Sequence, residues 1–339
     1  MKRTELLLLL GLFLATAYGF SLRHSVKADH PPHWPVPVHA TPDNPRLIAL
    51  GRKLFYDPIL SADSSISCAS CHSPFNAFAH SDHALSHGIH DSIGRRNAPA
   101  LFNLAWQSSF MWDGRFTNPQ EQIRFPITHP GEMGETIANV CVKLKRSQEY
   151  NILFKKCFGK KHIDEVQLAD ALSAFTMQLV SDQSKYDAVK SGFAVFTEQE
   201  KNGYRLFKMH CNACHTEPLF SNYAYENNGL AIDSQLLDAG RAEISARQAD
   251  SLRFKVPSLR NTDFTAPYMH DGRINSLRDV LNHYDKLLLR PSNSNKEQFI
   301  QLSGAEKTDL LAFLITLNDK KFAFNKQYGP PPYSTSINR

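Results

Sequence analysis

The chain has 339 residues, 42% hydrophobic and 21% charged, enough apolar material for about two domains and too much for a disordered or collagen-like chain. Its 38 lysines and arginines against 33 aspartates and glutamates leave a formal charge of +5 without a basic run. With no glycine-rich phosphate loop either, nucleic-acid and nucleotide binding are not indicated.

In chain order, Met1, Lys2 and Arg3 precede an apolar stretch from Leu6 to Ala17, with small residues at Ala15, Ala17 and Gly19. This pattern predicts a secretory signal over residues 1–20, because the run is short for a membrane span of about 20 residues. An uncleaved anchor is the alternative. Either way the remainder is expected outside the cytosol, in a periplasm. Residues 21–44, proline-rich from Pro31 onward, read as an extended N-terminal arm. Asn44-Pro45 then supplies an N-cap and a first-turn proline for a helix through Leu47, Leu50, Leu54 and Phe55. The segment around Cys68 reads as a loop. A helix is predicted from Asp164, with Leu168, Leu172, Phe175 and Leu179 on one face. Capping boxes at Thr197-x-x-Glu200 and Ser303-x-x-Glu306 open two more, the first carrying Tyr204, Leu206 and Phe207, the second Leu310, Phe313, Leu314 and Leu317. Alternating strand patterns are scarce, so the fold is expected to be mainly α.

Four of the six cysteines fall in Cys68-Ala-Ser-Cys71-His72 and Cys211-Asn-Ala-Cys214-His215. At this composition chance would supply about 0.005 such C-x-x-C-H motifs. Two thiols at this spacing each form a thioether to a haem vinyl group, and the adjacent histidine reaches the iron. A zinc site would need a tighter ligand cluster, and a thioredoxin-like site one C-x-x-C beside a βαβ pattern. Two covalently bound haem c groups are therefore expected, at Cys68, Cys71, His72 and at Cys211, Cys214, His215. In an oxidising compartment the remaining pair, Cys141 and Cys157, is expected to form a disulfide.

The chain also repeats. Gly51-x-x-Leu54-Phe55 recurs as Gly203-x-x-Leu206-Phe207, and Pro99–Arg115 aligns without a gap on Pro257–Arg273, with seven identities in 17 positions. This predicts two cytochrome c-type haem domains related by internal duplication, over 45–190 and 197–320, joined between Asp187 and Thr197, with a C-terminal tail over 321–339.

Ser67-Cys-Ala-Ser-Cys-His72, Arg96-Asn-Ala-Pro99, Trp112-Asp-Gly-Arg115, Glu132-Met133, and Phe254-Lys-Val-Pro-Ser-Leu-Arg-Asn261 through Pro267-Tyr-Met-His-Asp-Gly-Arg273 together resemble the bacterial di-haem cytochrome c peroxidase family, which includes the MauG-like enzymes. The resemblance covers nearly all of the mature chain. It implies that the N-terminal haem is peroxidatic and the C-terminal haem transfers electrons. It also implies that Trp112 lies between them, that Gln122 and Glu132 form the distal pocket, and that Asn97, Thr265 and Pro267 hold a calcium ion between the domains. A carboxylate such as Glu132 can move a proton between the peroxide oxygens if burial raises its pKa toward neutrality.

The pattern departs from typical peroxidases at two places. The position of their distal histidine, after Gly88, is Ile89, which cannot ligate, so an open first haem is expected; His80, His83, His87 and His90 nearby are alternatives. At the second haem, where those peroxidases have a methionine ligand, the chain has Tyr284, as MauG-like members do, with Met269 and His283 as competitors. Phenolate stabilises oxidised iron, whereas thioether favours the reduced state.

The expected function is reduction of hydrogen peroxide to water with electrons from a small cytochrome c or cupredoxin. One alternative is a MauG-like oxidation of residues of a partner protein through high-valent haem. The other is a non-enzymatic di-haem electron-transfer protein, which would have no use for Gln122 and Glu132. Members of the family are often dimers, so a homodimer is implied.

Overall fold

The computed structural model describes residues 31, 33–159, 162–292 and 297–332. The signal expected over residues 1–20 lies outside them. Among the described residues the chain is mainly helical, with twelve α-helices and four strands of two residues each, and no helix is long and apolar enough to cross a membrane. The helices are α1 (Pro45–Tyr56), α2 (Cys68–Cys71), α3 (Pro119–Thr128), α4 (Ile137–Arg146), α5 (Gln148–Phe158), α6 (Glu165–Thr176), α7 (Lys185–Lys190), α8 (Glu198–His210), α9 (Ala242–Ser245), α10 (Leu277–Tyr284), α11 (Gly304–Ile315) and α12 (Lys320–Ala323). The strands β1 (Tyr225–Glu226) and β2 (Phe254–Lys255) pair antiparallel, as do β3 (Leu288–Leu289) and β4 (Gln298–Phe299).

The helices begin where their caps dictate. The Asn44 side chain accepts from the amides of Arg46 and Leu47, and both predicted capping boxes form, Thr197 with Glu200 and Ser303 with Glu306. Two helix pairs then cross at contact distance. A Cβ on Gly51 of α1 would stand 1.8 Å from the Ala171 carbonyl oxygen of α6; one on Gly203 of α8 would stand 2.0 Å from the Asp309 carbonyl oxygen of α11. Only glycine fits either crossing. Each crossing carries an aromatic core: Phe55, Phe78 and Phe175 around the first, Phe207, Phe220 and Phe313 around the second.

Both α6 and α11 stop earlier than their apolar periodicity predicts, at Thr176 and Ile315, although Leu179 and Leu317 beyond them are fully buried. The cause is long-range. The Asn103 amide donates to the Leu179 carbonyl at 2.8 Å, and its side-chain oxygen accepts from the Ser181 amide at 2.9 Å. Asn261 does the same to the Leu317 carbonyl, at 3.3 Å, and from the Asp319 amide, at 2.7 Å. These asparagines adopt φ of 56° and 59°, a left-handed conformation that Asn tolerates. Met111 and Met269, and Gly114 and Gly272, repeat the left-handed pairing at the same offset.

Two local expectations are corrected. The first C-x-x-C segment is the one-turn helix α2 rather than a loop, because Ser67 and Ser70 cap each other reciprocally. Cys141 and Cys157 are separate free thiols: Cys141 is buried on α4, whereas the Cys157 thiol, on α5, donates to the Arg46 carbonyl at 3.3 Å.

The described part of the arm lies across the molecule. Trp34 packs edge-on against Trp106 at 5.1 Å, and the Trp106 indole donates to the Pro35 carbonyl at 2.7 Å. Arg260, fully buried, stacks on Trp34 and grips Asp187 of α7 with two bonds of 2.7 and 2.8 Å.

Candidate functional site

One cavity of about 780 Å³ is walled by both C-x-x-C-H motifs. Cys68, Cys71 and His72 line one part, and Cys211, Cys214 and His215 another. The one-turn helix α2 sets the first pair of thiols at the two ends of a single turn; the second pair follows the C-terminus of α8 directly, where the Cys211 amide still donates to the Phe207 carbonyl. The His72 Nδ1 donates to the Phe78 carbonyl at 3.0 Å, and the His215 Nδ1 to the carbonyls of Phe220 and Pro257 at 3.2 and 3.1 Å. These bonds fix the tautomer and leave each Nε2 with its lone pair. Burial pushes both imidazoles down to about 4, so they are neutral at pH 7, the form a metal requires. Burial also pushes the Cys68 and Cys211 thiols up to about 12. Paired thiols beside a neutral, oriented imidazole, twice over in one apolar cavity, are a donor set that fits a covalently tethered haem at each motif.

Glu132 and Gln122 both reach this cavity from the α3 side. Pro126, inside α3, has no amide to continue the helical bonding, and the chain turns back so that the Met133 amide donates to the Pro126 carbonyl at 3.1 Å. That return brings Glu132 close enough to Cys68 and Cys71 to raise the pKa of both thiols. Burial pushes the Glu132 carboxyl up to about 7, against an opposing pull from the Arg115 guanidinium. The Gln122 amide faces the Met111 sulfur at 3.9 Å.

Ile89 is buried, with its amide donating to the Glu132 carbonyl at 2.8 Å and its side chain packed against Gly134. Of the four neighbouring histidines, His87 alone lines the cavity, its Nδ1 bonded to Asp91 at 2.5 Å. His80 is buried off the cavity wall, His83 stacks between His80 and His87, and His90 is exposed.

At the second motif, Tyr284 ends α10 and lines the cavity beside Cys211 and Cys214. Burial pushes that phenol up to about 12. Met269 also lines the cavity; His283 does not, and its Nε2 bonds to the Asn228 carbonyl at 2.9 Å.

Trp112 lines the same cavity, its indole donating to the Asn97 carbonyl at 2.8 Å. Asn97, Thr265 and Pro267, expected to share a calcium ion, come to this wall from distant segments. The buried Asn97 amide nitrogen donates to the Ala84 carbonyl at 3.0 Å.

Sequence reasoning missed several residues that shape the site. The Lys255 amide donates to the Trp112 carbonyl at 2.7 Å, and its ammonium donates to Gln107 and the Ser109 carbonyl. Burial lowers that ammonium to about 7. Arg96 bridges Asp113 and Asp238, with bonds of 2.6 Å to each, locking the turn that carries Trp112. Asn228 touches the rival groups at the second motif. Their partners lie up to 148 residues away, so no local signal marks them.

Residues 45–194 match the family model described as di-haem cytochrome c peroxidase. The chain is 36% identical to the methylamine utilization protein MauG of Methylorubrum extorquens over 82% of this chain and 80% of that one. It is 32% identical to the cytochrome c551 peroxidase of Nitrosomonas europaea over 97% and 96%. Among solved structures it is similar to a MauG-like protein associated with microbial copper homeostasis, with a TM-score of 0.79 and 28% identity over 90% of this chain and 99% of that one.

Proposed function

The chain belongs to the di-haem cytochrome c peroxidase family of oxidoreductases, and on that premise we propose that it reduces hydrogen peroxide to water with electrons from a small cytochrome c or cupredoxin. The observation that carries this reading is the single cavity that holds both C-x-x-C-H motifs, with Glu132 beside the first and Trp112 in its wall. Cys68, Cys71 and His72 hold the peroxidatic haem; Cys211, Cys214 and His215 hold the electron-transfer haem. Bound there, the two haems supply the iron that binds peroxide and the iron that receives electrons.

The protein supplies the rest. Glu132, poised near neutrality, takes the proton from the inner peroxide oxygen and returns it to the outer one as water leaves. Gln122, across from Met111, orients the peroxide by hydrogen bonding. Trp112, held by Asn97, relays electrons between the two ends of the cavity. Over one turnover two electrons and two protons convert one peroxide into two waters. Asn97, Thr265 and Pro267 contribute oxygen ligands to a calcium ion that couples the two ends.

The paired crossings at Gly51 and Gly203 and the paired left-handed asparagines support two haem domains, over 45–190 and 197–320, that arose by duplication. The leader pattern supports export to a periplasm. Substitution of Glu132 by Gln, with both haems retained, should abolish most peroxide turnover with a reduced cytochrome donor; unchanged turnover would refute the assignment.

A MauG-like reading, oxidation of residues of a partner protein, is favoured by Ile89 where a ligating histidine would close the first site, and by Tyr284 in the cavity wall. Peroxide consumption that needs a protein substrate, with no cytochrome turnover, would select it.

A further inference from the structure

At the second motif three side chains of ligating type converge on one residue, and two of them, Tyr284 and Met269, line the cavity. Tyr284, Met269 and His283 could each bind iron, and all three meet at Asn228, which also lines the cavity. The Asn228 amide nitrogen donates to the Met269 sulfur at 3.2 Å, tethering the thioether through one of its two lone pairs. The Asn228 carbonyl receives the His283 Nε2 at 2.9 Å. A carbonyl only accepts, so that nitrogen carries a proton and has no lone pair for a metal. The Asn228 side-chain amide also reaches the Tyr284 phenol, where burial outweighs this donor. Its oxygen accepts from the Leu230 amide at 3.2 Å, which fixes the amide's orientation.

The asymmetry is chemical. A donor placed on a thioether takes one of the sulfur's two lone pairs and holds the side chain in place, whereas a donor placed on a phenol oxygen stabilises its anion. We propose that Asn228 is a positioning residue that selects the axial ligand of the second haem: its side chain holds Met269 back, its backbone carbonyl engages His283, and the position is left to Tyr284. This rests on the assignment of Cys211, Cys214 and His215 to that haem. The choice of ligand sets what the second haem does: tyrosinate favours keeping oxidising equivalents there, and thioether favours accepting electrons at higher potential.

Asn228→Val removes the amide but leaves the backbone carbonyl, so His283 stays engaged and Met269 is freed. In the purified holoprotein, this variant should gain the thioether-to-ferric charge-transfer band of methionine ligation and a more positive potential at the second haem. Adding Met269→Leu should abolish both changes, and Asn228→Gln should restore part of the native spectrum. A resting spectrum and potential that Asn228→Val leaves unaltered would overturn the proposal. Tyr284→Phe separates the two levels. If it changes the second-haem spectrum while Asn228→Val does not, tyrosine ligation stands and the role of Asn228 falls. If it too changes nothing, tyrosine ligation fails and takes this proposal with it.

Discussion

The indole nitrogen of Trp112 donates to the backbone carbonyl of Asn97 at 2.8 Å. The Asn97 amide in turn donates to the His270 carbonyl at 2.7 Å, and the Lys255 amide to the Trp112 carbonyl at the same distance. The proposed electron relay and a proposed calcium ligand are thus one unit, clamped to both halves of the repeated segment.

Replacing Trp112 with Phe keeps an aromatic ring but removes the indole and its bond to Asn97. Both haems should remain attached, while kcat falls at least roughly tenfold, the equivalent of about 1.4 kcal/mol in barrier height. Stopped-flow reduction of the first haem by way of the second would report it directly. Unchanged transfer would mean that electrons bypass the indole.

Calcium removal tests the same clamp from the other side. If Asn97, Thr265 and Pro267 share the ion, a chelator should slow transfer between the haems, and added calcium should restore it. Asn97→Ala should mimic the chelated protein and resist that rescue.

The pH dependence follows from Glu132. Burial raises its pKa from the ordinary carboxylate range to about 7, so the carboxylate, the form that acts as base, is lost as pH falls through neutrality. Log kcat/KM should therefore rise with unit slope below about pH 7 and level off above it. Glu132→Gln should flatten this limb and cost about 10²- to 10⁴-fold in rate, the usual range for a lost acid–base group.

Stability should be most sensitive where backbone meets backbone. Gly51→Ala and Gly203→Ala would drive a methyl into the carbonyl of the facing helix, forcing α1 from α6 or α8 from α11. Each should cost about 1–3 kcal/mol, read as a fall in Tm of about 2–4 °C per kcal/mol. Ala at Gly304, where the backbone is not left-handed and a Cβ meets nothing within 4 Å, is the control without a clash.

Much of this architecture was legible because it is written locally. The caps at Asn44, Thr197 and Ser303 and the C-x-x-C-H spacing act over three or four residues, and each formed where expected except for the short helix at Cys68. What failed was set from far away. The early ends of α6 and α11 depend on Asn103 and Asn261, 78 and 58 residues from their partners Ser181 and Asp319. The expected Cys141–Cys157 bridge rested on compartment alone, and the fold gives the two thiols different neighbours. Asn228 was invisible for the same reason: its three contacts come together only once α10 has folded back over the second motif.

The proposed function stands on the four thiols of Cys68, Cys71, Cys211 and Cys214 tethering two haems in one cavity. The intact mass of the protein, expressed with the cytochrome c maturation machinery, decides this. The mass should exceed that of the polypeptide by two haems, falling by one in Cys68→Ala/Cys71→Ala and by one in Cys211→Ala/Cys214→Ala. A mass equal to that of the bare polypeptide would contradict it.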